Sequence, residues 1–136
     1  MVDVVSPEQR SRMMAGIRGR DTEGELVVRR YLHRAGLRFR VNDRTLPGSP
    51  DLTIPMYRAA VFVHGCFWHR HAGCRFATTP ATRIEFWQAK FAANVARDRA
   101  ANDELRKLGW RPFVIWECEV ADLDRVDQLF WKVVAV

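Results

Sequence analysis

The chain is poor in cysteine and has no long apolar run, and each shortage excludes a class of protein. Its 136 residues include three cysteines, an odd and small number that does not suit the disulfide framework of a small secreted domain. No apolar stretch approaches the roughly 20 residues that span a bilayer, and the first twelve residues lack the apolar segment of a signal peptide. We therefore predict an intracellular protein without membrane association.

The composition indicates one globular domain with a surplus of positive charge. Hydrophobic residues make up 48% of the chain, which excludes wholesale disorder. Basic residues number 22 against 16 acidic ones, and lysine is scarce, since 19 of the 22 are arginine. Two explanations of the arginine excess stay open. One is a bias toward arginine codons, and the other is a polyanionic partner such as nucleic acid, whose phosphates suit the guanidinium fork.

Capping and turn signals predict the element order α-α-β-β-β-loop-α-β-α. Residues 1–20 are expected to form a flexible, basic N-terminal arm with a short helix, and residues 21–136 a single domain. Capping boxes at Thr22 and Thr82 open helices that end near residues 35 and 108. Strands are predicted at 37–41, 51–54, 59–63 and 113–116, and a helix or irregular cap at 122–134. This order predicts an α/β fold, a mixed sheet with a helix on each face.

The stretch from residue 64 to residue 79 has no clear period but is rich in metal-binding side chains. Cys66 and Cys74 lie in it, and with the distant Cys118 they offer three thiolates. One histidine would complete the four-ligand set of a structural zinc site. The candidate histidines are His64, His69 and His71, of which the last is favoured by its short spacing to the second cysteine. The alternative is that Cys118 is a buried core thiol and the other cysteines bind nothing.

Carboxylates and histidines near the predicted strand ends suit metal-assisted hydrolysis of a phosphodiester. Asp51 opens a strand and could hold Mg²⁺, which takes only one or two protein carboxylates and keeps several waters. His64 or His69, when not a zinc ligand, could act as a general acid or base. Glu25 has an alternative role in the capping box of Thr22, and each histidine has an alternative structural role.

Some aromatic residues fall where core packing does not account for them. Phe67 and Trp68 lie inside the polar loop, and we predict that their rings are exposed and contact bases. Apolar rings wedged between base pairs unstack them, and the free energy cost of unstacking is smallest where a base step is mispaired. Core positions are predicted for Phe62, Phe91, Phe113 and Trp116.

Several motifs, in matching order, closely resemble the very-short-patch-repair (Vsr) mismatch endonucleases. The resemblance covers roughly residues 8 to 119. Its motifs are Arg20-Asp21-Thr22-x-x-Glu25, Leu46-Pro47-Gly48-x-Pro50-Asp51, Phe62-Val63-His64-Gly65-Cys66-Phe67-Trp68-His69, Pro80-Ala81-Thr82-Arg83-x-Glu85-Phe86-Trp87, Asn94-Val95-x-Arg97-Asp98-Arg99, Leu108-Gly109-Trp110-Arg111 and Trp116-Glu117-Cys118.

The resemblance implies a restriction-endonuclease-like mixed sheet flanked by helices, with a structural zinc loop. It implies an Mg²⁺-dependent, sequence-specific enzyme of very short patch repair. Such an enzyme nicks one strand of double-stranded DNA on the 5′ side of the T in a T:G mismatch. It also implies a monomer in the bacterial cytoplasm, associated with the nucleoid when bound to DNA, with other mismatch-repair proteins as candidate partners.

The resemblance further implies roles for individual residues. Asp51 and the backbone carbonyl of Val63 would bind Mg²⁺. The catalytic site would be completed by Glu25, His64 and His69, the last transferring the proton. Structural Zn²⁺ would be held by Cys66, His71, Cys74 and Cys118. The residues that contact DNA would be Phe67, Trp68 and Trp87 as intercalating rings, Lys90 and Asn94 on one helix face, and Met14 in the arm at the minor groove.

The sequence departs from the family pattern in two places. The zinc loop has one extra residue before Cys74, which predicts a slightly relaxed geometry. Position 63 is valine where family members can carry threonine. This change is harmless if only the carbonyl binds metal, but it disturbs the site if a hydroxyl is needed. A second hypothesis is kept, in which the chain is a zinc-stabilised mismatch- or structure-binding module without catalysis. Its basis is the basic, aromatic surface and the weakness of a lone Asp51 as a metal site.

Overall fold

The computed structural model describes residues 22–135. The predicted N-terminal arm over residues 1–20, including Met14, lies outside the described residues. Within the described part, no helix is long and apolar enough to cross a membrane.

A four-stranded mixed sheet with the spatial order β1-β2-β3-β4 forms the centre of the fold. The first two pairings are antiparallel and the last is parallel. Every residue of β3 is buried, as expected for a strand covered on both faces. The strands are β1 (Arg40–Val41), β2 (Leu52–Ile54), β3 (Ala59–His64) and β4 (Arg111–Trp116).

Strand β1 is shorter than the predicted 37–41. The reason lies at the end of the preceding helix, where the Leu37 N–H donates to the carbonyl of Leu32 at 3.0 Å and Gly36 adopts a φ of +90°. This is the helix-ending arrangement that glycine permits, and it takes the Leu37 N–H away from a strand partner.

Two helices cover one face of the sheet. Helix α1 begins after Thr22, whose hydroxyl accepts from the Glu25 N–H at 3.2 Å, so the predicted cap is present. The C-terminal segment is helical, and Asp122 caps it. Together with alternate residues of β3 these helices bury the larger apolar core. Their bounds are α1 (Glu23–Arg34) and α4 (Leu123–Val134).

One long helix, α3 (Ile84–Lys107), covers the other face, where Leu105 packs against Ala60 and Phe62. The predicted capping box at Thr82 is wrong. The N-cap residue is Arg83, which has a left-handed φ of +53° and makes no side-chain capping bond. Its guanidinium lies over the Phe86 ring, 4.4 Å from the centroid.

The crossover between the parallel strands β3 and β4 positions the functional residues. It contains a one-turn helix, α2 (Cys66–His69), within the stretch that was expected to be irregular. The strand register pairs His64 with Trp116. Because parallel strands run in the same direction, the residues that follow them meet at one edge of the sheet, which brings Cys66 and Cys118 together.

Candidate active site and metal centre

A cleft of about 700 Å³ opens at the carboxyl end of β3. It brings together side chains from α1, from the start of β2, from the end of β3, from α2 and from α3. Five residues with a predicted catalytic or Mg²⁺-binding role line it, namely Glu25, Asp51, Val63, His64 and His69.

Asp51 is the half-buried carboxylate of this cleft. Its Oδ2 accepts from the Val63 N–H at 2.6 Å. Burial raises the pKa of Asp51 to about 7 against the opposing effect of that hydrogen bond, and the neighbouring Glu25 carboxyl raises it further. Two carboxyl groups this close need a shared proton or a cation between them. The pair is therefore suited to a hard divalent cation.

The main chain of Val63 faces the same side. The carbonyl of His64 accepts from Glu117 N, on the β4 side of the strand. Successive strand residues direct their backbone groups to opposite neighbours, and the N–H and C=O of one residue point the same way. The Val63 carbonyl therefore faces the side on which Asp51 lies. The Val63 side chain instead belongs to the larger apolar core.

A histidine–aspartate pair lies in the same cleft. His69 Nδ1 is 2.6 Å from Asp98 Oδ2. The His69 ring stacks on His64 with centroids 3.9 Å apart and planes inclined by 3°. Burial, reinforced by His69, lowers the pKa of His64 to about 4, although Asp98 opposes the shift. His64 is thus neutral near pH 7, and His69 is the ring that a carboxylate orients.

Three further residues of the cleft had no role in the predictions: Asp98, Arg97 and Glu117. Asp98 and Arg97 share a stripe of α3 with Asn94, and the spacing of three and four residues that puts them on one helix face could have been found in the sequence. Glu117 accepts from the Thr22 hydroxyl at 3.3 Å. Burial raises the pKa of Glu117, and Glu25 and Glu23 shift it in the same direction.

The second cluster is a candidate metal centre formed by Cys66, His71, Cys74 and Cys118. One ligand atom from each of these residues lies within 4.8 Å of the others. Cys118 Sγ is 3.3 Å from His71 Nδ1. In a tetrahedral zinc site with ordinary bond lengths, sulfur and nitrogen ligands lie about 3.6 Å apart. The donor set therefore fits zinc, and His64 and His69, the other candidates, lie in the cleft instead.

A turn connects His71 and Cys74. Cys74 N–H donates to the His71 carbonyl at 3.3 Å, and Gly73 between them has a φ of +71°. Without metal the thiolate form of Cys118 is disfavoured, because burial and the neighbouring Cys66 and Cys74 raise the pKa of Cys118 to about 12. A cation would reverse that effect, since zinc binds thiolates.

Trp116 connects the two clusters. Its ring stacks on His71 with centroids 4.3 Å apart and meets His64 edge-on at 5.2 Å. It is half-buried and outside both apolar cores, so its predicted core position is wrong. Phe113 is half-buried but packs against the larger core, as predicted. Phe62 and Phe91 are buried as predicted.

Phe67, Trp68 and Trp87 form an aromatic cluster between α2 and α3. Phe67 is edge-on to Trp68 at 5.0 Å, and Trp68 and Trp87 are 5.9 Å apart. The exposure predicted for Phe67 and Trp68 is only partial, because both rings are half-buried. Arg70 supports the cluster, with its guanidinium 4.1 Å from the centroid of the Phe91 ring. The guanidinium also donates to the carbonyls of residues 77 and 78, at 2.9 Å each.

Lys90 and Asn94 differ in their surroundings. Lys90 is exposed, with its Nζ 6.0 Å from the centroid of the Trp68 ring. Asn94 Nδ2 donates to the Trp68 carbonyl at 3.2 Å, and its Oδ1 accepts from Arg97. Asn94 therefore holds α2 against α3.

A mixed sheet flanked by helices, with an acidic cleft and a histidine–aspartate pair at the end of its central strand, fits the restriction-endonuclease-like fold class. The particular family follows from comparison with known proteins. The family model described as DNA mismatch endonuclease Vsr matches residues 2–75, and the chain belongs to the Vsr family. It is a DNA mismatch endonuclease, and DNA is its substrate.

Curated relatives agree over most of the chain. The DNA mismatch endonuclease Vsr of Escherichia coli K12 is 44% identical over 126 residues, which cover 93% of this chain and 80% of the relative. The type II nicking enzyme V.XorIIP of Xanthomonas oryzae pv. oryzae is 44% identical over 127 residues, or 93% of each chain. The type II nicking enzyme V.NmeAIP of Neisseria meningitidis is 38% identical over 120 residues, covering 88% of this chain and 85% of the relative.

Proposed function

We propose that this endonuclease binds double-stranded DNA with a T:G mismatch and, with Mg²⁺, nicks one strand on the 5′ side of the T. The observation that carries the proposal is the shared cleft of the Asp51 carboxylate and the His69–Asp98 pair. The motif resemblance supports the T:G mismatch and the strand position. The proposal includes action as a monomer on DNA in the bacterial cytoplasm, with other mismatch-repair proteins as candidate partners.

Asp51 and the Val63 carbonyl are proposed to hold the Mg²⁺. Oxygen donors are the ligands that this cation prefers, and the crowded Asp51 and Glu25 carboxyls supply the negative charge. When bound, Mg²⁺ would stabilise the negative charge that develops on the phosphate. Valine at position 63 is compatible with this role, because the side chain points into the core while the main chain faces Asp51.

His69 is proposed to transfer the proton. Asp98 occupies the Nδ1 side of the ring, which leaves Nε2 to exchange a proton with water or with the leaving oxygen. The Asp98 carboxylate fixes the ring orientation and stabilises the imidazolium that forms on proton uptake. His64, neutral because of its burial, keeps the His69 ring in place by stacking.

The metal centre is proposed to hold structural Zn²⁺, and the aromatic cluster to enter the DNA. Zinc at Cys66 and Cys118 would tie α2 to the end of β4. Phe67, Trp68 and Trp87 would then be presented on a fixed support beside the mismatch, with Lys90 toward the DNA.

Trp68→Ala is expected to weaken binding to a T:G duplex by about 1–3 kcal/mol, the range for loss of one base–aromatic stack. Affinity for a fully paired duplex should change less, because the wedge is used at the mispaired step. Phe76→Ala is the matched control, since Phe76 is 52% exposed and takes no part in the ring contacts of the cluster. Fluorescence anisotropy titrations without Mg²⁺ would measure the affinity of each variant, relative to the parent, for the T:G duplex and for the fully paired duplex. Equal losses on the two duplexes would show that Trp68 does not read the mismatch.

The proposed activity is tested by nicking of a labelled duplex library that carries one T:G mismatch between randomised flanks. We expect a single cut in the T strand, 5′ of the T, that requires Mg²⁺ and is absent from the T:A library. The randomised flanks keep an unknown sequence preference from hiding the activity. A protein that binds the T:G library but leaves it intact with Mg²⁺ would contradict the proposal.

A further inference from the structure

The cleft is strongly acidic for a site that must receive a phosphodiester. Its lining includes the four carboxyl groups of Glu25, Asp51, Asp98 and Glu117. Within the described part of the chain, the one Lys or Arg side chain among the lining residues is Arg97. An anionic phosphate entering this cleft needs positive charge, and among the described residues that line the cleft Arg97 is the basic side chain able to supply it.

The surroundings of Arg97 place it beside both recognition and catalysis. Its Nη2 donates to Asn94 Oδ1, and its Nε donates to the Ala93 carbonyl at 3.3 Å. Asn94 in turn donates to the carbonyl of Trp68. Asp98, which follows Arg97 in the chain, orients His69. The guanidinium has five N–H donors, of which these bonds use two. It is exposed, so the remaining donors are accessible to a ligand.

We propose that Arg97 is a catalytic residue that binds the non-bridging oxygens of the scissile phosphate. The inference rests on the proposed nicking activity and adds a residue to it. The guanidinium fork matches a phosphate with paired, charge-assisted hydrogen bonds. These bonds strengthen as negative charge develops on the phosphate, so they favour the transition state over the bound substrate.

The test compares Arg97→Ala and Arg97→Lys with Lys107→Ala. Lys107 is an exposed basic residue on the same helix that lines neither the cleft nor the smaller cavity beside His64 and His69, so its removal measures the general effect of losing one positive charge. Single-turnover nicking of the T:G duplex with Mg²⁺ gives the rate, and anisotropy without Mg²⁺ gives the affinity. We expect Arg97→Ala to lower the rate by about 100-fold or more, the usual loss for one transition-state donor. Arg97→Lys should retain part of the rate, and Lys107→Ala should change it by less than about threefold.

A second readout separates phosphate binding from support of the Asn94–Trp68 contact. Added guanidinium ion at low concentration should restore part of the nicking by Arg97→Ala, which it cannot do if Arg97 acts only by packing. If Arg97→Ala nicks as fast as Lys107→Ala while the parent enzyme is active, Arg97 is not catalytic and the proposed function still stands. A parent enzyme that does not nick overturns both.

Discussion

Asp51→Asn is expected to abolish nicking, with a rate reduction on the order of 1,000-fold, while the fold stays intact. The amide keeps the shape of the side chain and can still accept from the Val63 N–H. It loses the negative charge that a hard cation requires. Loss of several kcal/mol of transition-state stabilisation by the metal corresponds to this reduction, since each 1.36 kcal/mol is tenfold in rate.

The same substitution should leave the metal-free protein at least as stable as the parent at pH 8. Burial and Glu25 raise the pKa of Asp51 to about 7, above that of an unfolded aspartate. The unfolded chain therefore loses this proton at lower pH than the folded chain. Ionisation of Asp51 lowers the free energy of unfolding as the pH rises from about 4 to about 7, and the full loss is present at pH 8. Asparagine removes that destabilisation, as often happens when a catalytic group is neutralised.

Thermal melts and nicking assays on one protein preparation check both expectations. Mg²⁺ should raise the melting temperature of the parent protein and leave that of Asp51→Asn unchanged, because a ligand stabilises only the state that binds it. Asp43→Asn is the control for loss of one carboxylate, and it should keep the Mg²⁺-dependent rise in melting temperature, since Asp43 lies outside the cleft lining. Retained nicking by Asp51→Asn would show that another residue holds the cation. Mismatch binding without nicking by the parent protein would instead favour the non-catalytic binding module.

Much of the fold was predictable because its signals are local. The Thr22 cap, the Gly36 stop and the buried run that forms β3 each depend on residues within a few positions. The failed capping box at Thr82 shows that one local signal can also override another. Thr82 has the right spacing for a capping box, yet Arg83 adopts a left-handed conformation and lies over Phe86.

The candidate site was predictable only in part, because its pairings join residues that are far apart in the sequence. The motifs identify Asp51 and His69, and helical spacing places Asp98 on one face with Asn94, but neither signal shows that Asp98 pairs with His69. The pairing depends on how α2 packs on α3. Trp116 belongs to an apolar run and was assigned to the core. It lies at the end of β4, where its ring contacts His64 of the cleft and His71 of the candidate metal centre.

Removal of zinc is expected to have the other large effect, loss of both nicking and mismatch recognition. Helix α2 has four residues, too few to be stable alone. Its first residue, Cys66, belongs to the candidate metal centre, its second and third carry the rings proposed to enter the DNA, and its last is His69. Structural zinc contributes about 10–16 kcal/mol of apparent binding free energy in zinc-finger peptides, which is also folding free energy. Without zinc, α2 is expected to lose its order, and both nicking and mismatch recognition would be lost with it.

Cys118→Ser and chelation of the parent protein should therefore give the same result. Stoichiometric zinc should be present in the parent and absent from the variant. Tryptophan fluorescence should report loosening around Trp116 and Trp68, while the far-UV helix signal falls only in part, because the core formed by α1, α4 and the sheet shares no residue with the metal centre. Zn²⁺ added after chelation should restore nicking to the parent but not to the variant, and Mg²⁺ alone should restore neither. An active, zinc-free parent protein would show that the hydrogen bonds of Asn94 and Arg70 hold α2 without metal.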